Sequence, residues 1–124
     1  MKFESTTFGS IVIDGEKYGD VYLLKNGSII QNRDKSHSPK IKGHTSLSQW
    51  ELEKLLESNP DYLIIGTGQL GILPMSKETK EWLNTEIKER SLKLIKDRTP
   101  KVLEQINSLL ENGEKIVGIF HTTC

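Results

Sequence analysis

The chain has 124 residues, which at roughly 100–200 residues per domain leaves room for a single folded unit, one able to bury about two-thirds of its extended surface without disulfides or metal. Seventeen Lys and Arg balance seventeen Asp and Glu, which removes the electrostatic footprint expected of a protein that grips nucleic acid or an anionic membrane non-specifically. With 35% hydrophobic and 27% charged residues the composition is that of a globular domain, neither disordered nor membrane-spanning.

The opening Met1-Lys2-Phe3-Glu4-Ser5 lacks the apolar run of a signal peptide, and a single cysteine argues for a reducing, cytoplasmic setting without structural disulfides. There is no alanine, and lysine is abundant, a pattern that reads as base-composition bias in the source genome.

The first third reads as short hairpins. Ile11 to Ile13 run into Asp14-Gly15, and Val21 to Leu24 lead through Asn26-Gly27 to Ile29 and Ile30; Asn-Gly and Asp-Gly supply the positive φ angles of tight turns. The expectation is a three-stranded meander. Asn26-Gly27-Ser28 also fits a glycosylation acceptor, but without a secretion signal the turn role is the better reading. The stretch from Gln31 to Ser46, with Arg33, Lys35, His37, Pro39 and His44, is too rich in turn formers to be regular; a loop longer than about 12 residues inside a small domain is usually functional or mobile.

A helix start follows. Ser48 and Glu51 form an S-x-x-E capping box, and Leu47 and Leu52 can make a hydrophobic staple. Leu52, Leu55 and Leu56 provide the buried stripe, and Asn59-Pro60 ends the helix. Beyond Asp61 strand and helix alternate. Tyr62 to Ile65 is a continuous apolar run, as in a strand covered on both faces, and leads into Gly66-Thr67-Gly68-Gln69-Leu70-Gly71. A second helix starts after Ser76 and carries Trp82, Leu83 and Ile87; a strand follows around Leu92 to Ile95. A third helix opens at Thr99-Pro100, a side-chain cap followed by a residue suited to the first helical position. Val102, Leu103, Ile106, Leu109 and Leu110 fall at helical spacing, Asn112-Gly113 stops the helix, and Ile116 to Phe120 is the last strand. The sum is an α/β sheet with helices packed on it.

Chemistry is carried by few residues. The loop Gly66 to Gly71 matches G-x-G-x-x-G after a strand, half of a dinucleotide fingerprint. The other half fails, because Pro74 and Ser76 delay the helix and Asp97 lies too far along to serve as the ribose ligand. A tight glycine turn, or a ligand cleft at the strand end built on Gly66, Thr67, Gly68 and Gly71, remains. His121 and Cys124 stand three apart; an imidazole can lower a thiol pKa, although extended backbone points such positions to opposite sides. That thiol could serve a redox or nucleophilic reaction only if the last strand runs parallel to the Tyr62 strand. A separation much beyond about 10 Å between the thiol and the glycine loop would remove the composite site. His37, His44, His121 and Cys124 offer metal-ligand types but no recognised spacing, and Cys124 is not followed by the residues of a prenylation box. His44 after Gly43 fits a ring hydrogen bond that tethers the long loop. Thr99 fits an anion at the third helix's start, unless its oxygen already caps that helix. Trp50 and Trp82 are expected to pack on the sheet, with a homo-oligomer interface through them or the last strand as the alternative.

The ending Val117 to Cys124, the segment Leu63 to Gly68, the Glu81-Trp82-Leu83 step, the Lys35-Ser36-His37-Ser38-Pro39 loop, and Asn107 followed by Gly113 together resemble the adipogenesis-associated "Mth nine-three-eight" domain proteins. The resemblance runs from about Phe8 to Cys124 and is carried most by the His-x-Thr-Cys ending together with the glycine loop. It implies a three-layer α/β domain over residues 1–124, with a mixed central β-sheet flanked by helices and preceded by N-terminal β-hairpins. It assigns no cofactor and no established activity. A distant relative acts as an assembly factor for respiratory complex I, so the resemblance implies a protein partner and a binding or assembly role more than catalysis. In place of the family's glycine after the second helix stand Lys88, Glu89 and Arg90, so that helix end should differ, and a role in fat-cell differentiation does not transfer.

Overall fold

The Asp14-Gly15 pair, at φ 51° and 78°, turns β2 (Ser10–Ile13) back onto β3 (Glu16–Tyr18), while β1 (Phe3–Thr7) pairs with the other edge of β2. In this computed structural model, which describes all residues 1–124, these three antiparallel strands form a sheet of their own. That corrects the expected meander. After the bend at Gly19-Asp20, β4 (Val21–Leu24) and β5 (Ile29–Asn32) leave the small sheet and join a second, five-stranded one. Between them Lys25, Asn26 and Gly27 all take positive φ, the turn that Asn-Gly promised.

The long polar stretch is more regular than its composition suggested. Lys42 and Gly43, at φ 50° and 82°, close a miniature hairpin of β6 (Lys40–Ile41) and β7 (His44–Thr45). Helix α1 (Gln49–Leu56) starts with the full reciprocal capping box between Ser48 and Glu51, and Leu47 and Leu52 are both buried. The strand β8 (Tyr62–Thr67), helix α2 (Lys77–Arg90) capped by Ser76, β9 (Lys93–Asp97), α3 (Thr99–Glu111) and β10 (Ile116–His121) complete the chain.

The central sheet has the order β5-β4-β10-β8-β9. β10 lies parallel to β8 and antiparallel to β4, so the sheet is mixed, as expected. Strand alternation sorts its side chains into two cores. Tyr22, Leu24, Leu63, Ile65, Val117 and Ile119 face α1 and α2, joined by Leu52, Leu55, Leu56 and Leu83. Val21, Leu23, Ile64, Ile116 and Phe120 face α3 and the small sheet, joined by Phe3, Ile11, Ile13, Val102 and Ile106. The result is three layers. Trp82 packs on the first core; Trp50 instead stacks its ring on His37, centroids 4.1 Å apart, with the Lys54 ammonium 5.7 Å from its face. Where a glycine was missing at the end of α2, Ser91 itself adopts the left-handed conformation at φ 52° and its N–H reaches the carbonyls of Ile87 and Lys88.

Candidate functional site

Parallel pairing of β8 and β10, with Thr67 beside His121 in register, brings the glycine loop and the segment Thr122 to Cys124 to one edge of the sheet. The loop's donors are spent there on the chain itself. The N–H of Gln69 donates to the Thr123 carbonyl, and those of Leu70 and Ile72 donate to the Cys124 backbone oxygen. Gly68 sits at φ +102° so close to this segment that a Cβ would lie 2.6 Å from the Cys124 carbonyl carbon and 2.7 Å from the His121 ring; only glycine fits. The Gly66 to Gly71 loop is therefore a clamp on the neighbouring strand rather than an open phosphate cradle.

Thr99 has a different role from the expected cap. Arg98 occupies the N-cap position of α3 and makes no side-chain cap, while the fully buried Thr99 hydroxyl accepts from Gly68 N–H and donates to the His121 carbonyl. It is occupied, as foreseen, but by the glycine loop and β10. His44 is half-buried in the β6–β7 hairpin and its ring makes no hydrogen bond; the loop is tied instead by Ser46, whose N–H and hydroxyl both donate to the Pro39 carbonyl. With His37 on Trp50 and His121 beside Asp20, the three histidines and Cys124 do not converge, and no three His, Cys, Asp or Glu side chains gather in metal-binding geometry.

Under the same edge lies a buried charged cluster that no motif announced. The Arg33 side chain is 1% exposed and makes a bidentate pair with Glu51, Nε to Oε2 at 2.7 Å and Nη2 to Oε1 at 3.0 Å, a geometry that only a guanidinium offers. Its Nη1 donates to Asp20 Oδ2 at 3.1 Å. The Tyr22 and Ser38 hydroxyls also donate to Glu51. Asp20 takes three further donors, the N–H and hydroxyl of Thr122 and Nδ1 of His121 at 2.7 Å. Every buried polar side-chain atom is satisfied. Burial alone would raise both carboxyl pKa values, but the His121 and Thr122 bonds hold Asp20 well below its ordinary range, and Arg33, Ser38 and Tyr22 do the same for Glu51. Burial and the Glu51 carboxylate push the Tyr22 hydroxyl up. Burial would lower the Arg33 pKa, yet its two carboxylates raise it.

This cluster escapes sequence reading because its members come from the bend before β4, the end of β5, α1 and β10. Arg33 read as one of several loop cations and Glu51 as a capping residue. The stripe expected of α1 was Leu52, Leu55 and Leu56, and nothing in it marks Glu51 as buried.

Cys124 is a half-buried free thiol. The parallel strands meet the geometric condition set for a composite site, but the ring nitrogens of His121 engage Asp20 and, at 3.3 Å, the Thr123 hydroxyl, not the sulfur. The surface cavities, of about 340, 470 and 180 Å³, are lined by other residues. What the edge does expose is apolar. Phe8 is 62%, Leu70 60% and Ile72 42% exposed. The hairpin carrying Phe8 is fastened here by Gly9 N–H to the Thr122 carbonyl and by the Gln69 amide to Thr6 and Thr7.

Residues 3–121 match the model of a family described as protein of unknown function (DUF498/DUF598). The chain belongs to this family. It is similar to the solved structure of conserved hypothetical protein PH1505 from Pyrococcus horikoshii OT3, with 32% identity over 100% of both chains and a TM-score of 0.75. It is also similar to the structure named MT938, with 26% identity over 99% of this chain and 98% of that one and a TM-score of 0.75, which bears out the resemblance to the Mth nine-three-eight domain. A protein from Bartonella henselae titled an outer membrane protein shares the fold alone, at 17% identity over 98% of this chain and 94% of that one, with a TM-score of 0.71. No helix of this family member is long and apolar enough to cross a membrane.

Proposed function

We propose that this chain is a protein-docking module of the assembly type, whose partner surface is the sheet edge presenting Phe8, Leu70 and Ile72. The observation that carries it is the exposure of three large apolar side chains on backbone that is held firmly rather than left loose. Leu70 and Ile72 are both pinned through their N–H groups to Cys124, and the Phe8 hairpin is pinned to Thr122 and Gln69. An exposed apolar group on a preorganised frame binds a partner without a large ordering cost. The buried Asp20–Arg33–Glu51 cluster acts as the support of that frame, since it fixes Thr122 and His121 from below. Thiol chemistry at Cys124 is the weaker reading, because His121 serves other partners. A single free thiol fits a reducing compartment such as the cytoplasm.

The test is a photo-crosslinking amino acid placed at Leu70 in the source cell, with the exposed Glu89 position on α2 as control. A discrete adduct at Leu70 that disappears with Phe8→Ser plus Ile72→Ser supports the proposal, and its mass separates a second copy of this chain from another protein. Absence of an adduct, or the same adduct from Glu89, overturns it.

A further inference from the structure

The hydrogen bonds around Asp20 dictate the state of His121, and His121 in turn dictates the state of a hydroxyl. Asp20 accepts from the Thr122 N–H, the Thr122 hydroxyl and Arg33 Nη1, and the guanidinium charge on the same Oδ2 that faces His121 favours the ionised carboxylate. Its bond to His121 Nδ1 at 2.7 Å then requires the proton on Nδ1. In the neutral ring this leaves the lone pair on Nε2, and the Thr123 hydroxyl lies 3.3 Å away in position to donate to it. Carboxylate, imidazole and hydroxyl stand in the order that activates an alcohol, with a buried orienting acid, a base whose tautomer is fixed, and a nucleophile on a half-buried residue at the surface.

From this line we propose that Thr123 is a self-acylation site, which takes an acyl group from a small activated donor of the thioester class. No cavity at this edge would hold a large substrate or strain an unactivated bond, so the donor must bring its own good leaving group. Phe8, Leu70 and Ile72, exposed on segments tied by their backbone to Thr122 and Cys124, suit a hydrocarbon acyl chain. In the step, Thr123 Oγ forms a bond to the thioester carbonyl carbon while its proton passes to His121 Nε2. The carbon–sulfur bond then breaks, and the thiolate leaves with that proton as a thiol. Thr123 ends as an ester and His121 returns neutral. Asp20 is a positioning residue that never touches the acyl group. This inference uses the same apolar side chains as the docking role but does not rest on it, since the step is carried by Asp20, His121 and Thr123.

The experiment incubates the purified full chain with S-hexanoyl-N-acetylcysteamine, then locates adducts by peptide mass spectrometry before and after neutral hydroxylamine, which strips thioesters and spares oxygen esters. The expected result is a hydroxylamine-resistant ester on Thr123, kept by Thr123→Ser, absent in Thr123→Val, and slowed by about 100-fold or more in His121→Gln, the scale of general-base assistance. Asp20→Asn should slow it as well while circular dichroism reports a folded chain. The two Thr123 variants place the ester, and its rate on Thr123 against the exposed Thr85 in the unchanged chain decides the matter even where an Asp20 or His121 variant fails to fold. Overturning results are an ester on Thr123 no faster than on the exposed Thr85, a rate unchanged by His121→Gln, or hydroxylamine-labile label on Cys124 alone.

Discussion

The hydroxyl of Thr99, on the first turn of α3, donates to the main-chain carbonyl of His121. It accepts at the same time from the Gly68 N–H, so one fully buried side chain joins a helix to the ends of two parallel strands. Thr99→Val preserves the shape and removes both bonds, leaving a buried N–H and a buried carbonyl without this partner. The expected cost is about 1–3 kcal/mol for each group orphaned, read as a fall in the urea midpoint, with faster hydrogen exchange at Gly68 as the local signature.

Arg33 is the one cation held within the charged cluster, and two carboxylates lean on it. Lys35 approaches Asp20 only to 3.9 Å and is half exposed, so it cannot substitute. Arg33→Met should destabilise the fold by about 3–5 kcal/mol, the range for breaking a buried pair from one side. Arg33→Lys should recover only part of that loss, because an ammonium cannot span both Glu51 oxygens. Chemical denaturation at neutral pH measures both.

Acid should weaken the fold through the same residues. The folded pKa values of Asp20 and Glu51 lie below their unfolded ones, which are about 3.9 and 4.3. Their stabilisation is therefore complete above those unfolded values and drains away as pH falls below about 4. A series of urea midpoints from pH 7 to pH 2.5 should drop steeply at its acid end. Glu51→Gln should start from a lower midpoint and show a shallower drop.

Ser91 ends α2 in a conformation that glycine adopts freely and serine does not. Ser91→Gly should stabilise the chain by about 1 kcal/mol, since its N–H bonds to Ile87 and Lys88 are kept. A lower midpoint in the variant would show that the serine side chain does something unrecognised.

What was legible in the sequence was local. Ser48 and Glu51 are three apart, and the capping box read from them is present atom for atom; Asp14-Gly15 and Asn26-Gly27 made their turns. The second task of Glu51 depends on Arg33 and Tyr22, 18 and 29 positions away, and no periodicity encodes such a meeting. The same limit explains the meander. Turn chemistry identified the Asp14-Gly15 and Asn26-Gly27 hairpins and missed those at Phe8-Gly9 and Lys42-Gly43, and which sheet a hairpin joins is decided by the bend at Gly19-Asp20 and by the Asp20 side chain, anchored on β10 about a hundred residues later. The G-x-G-x-x-G spacing described a real tight loop; its occupant, the chain's own Thr122 to Cys124 segment, became visible only with the strand order.

The place of β10 in the sheet has a bearing on how the molecule comes into being. β4 and β8 do not pair with each other, and each has its hydrogen-bonded neighbour in residues 116–121. On a ribosome, the hairpin of β4 and β5 and the β8–α2–β9 unit must wait as separate pieces with their apolar faces uncovered until the segment that zips them together has emerged. Closing such distant pairings carries a loop-entropy penalty before any contact rewards it. Folding of this domain should therefore be late and abrupt, and a nascent chain cut short before Ile116 should be a client for chaperones rather than a partly working protein.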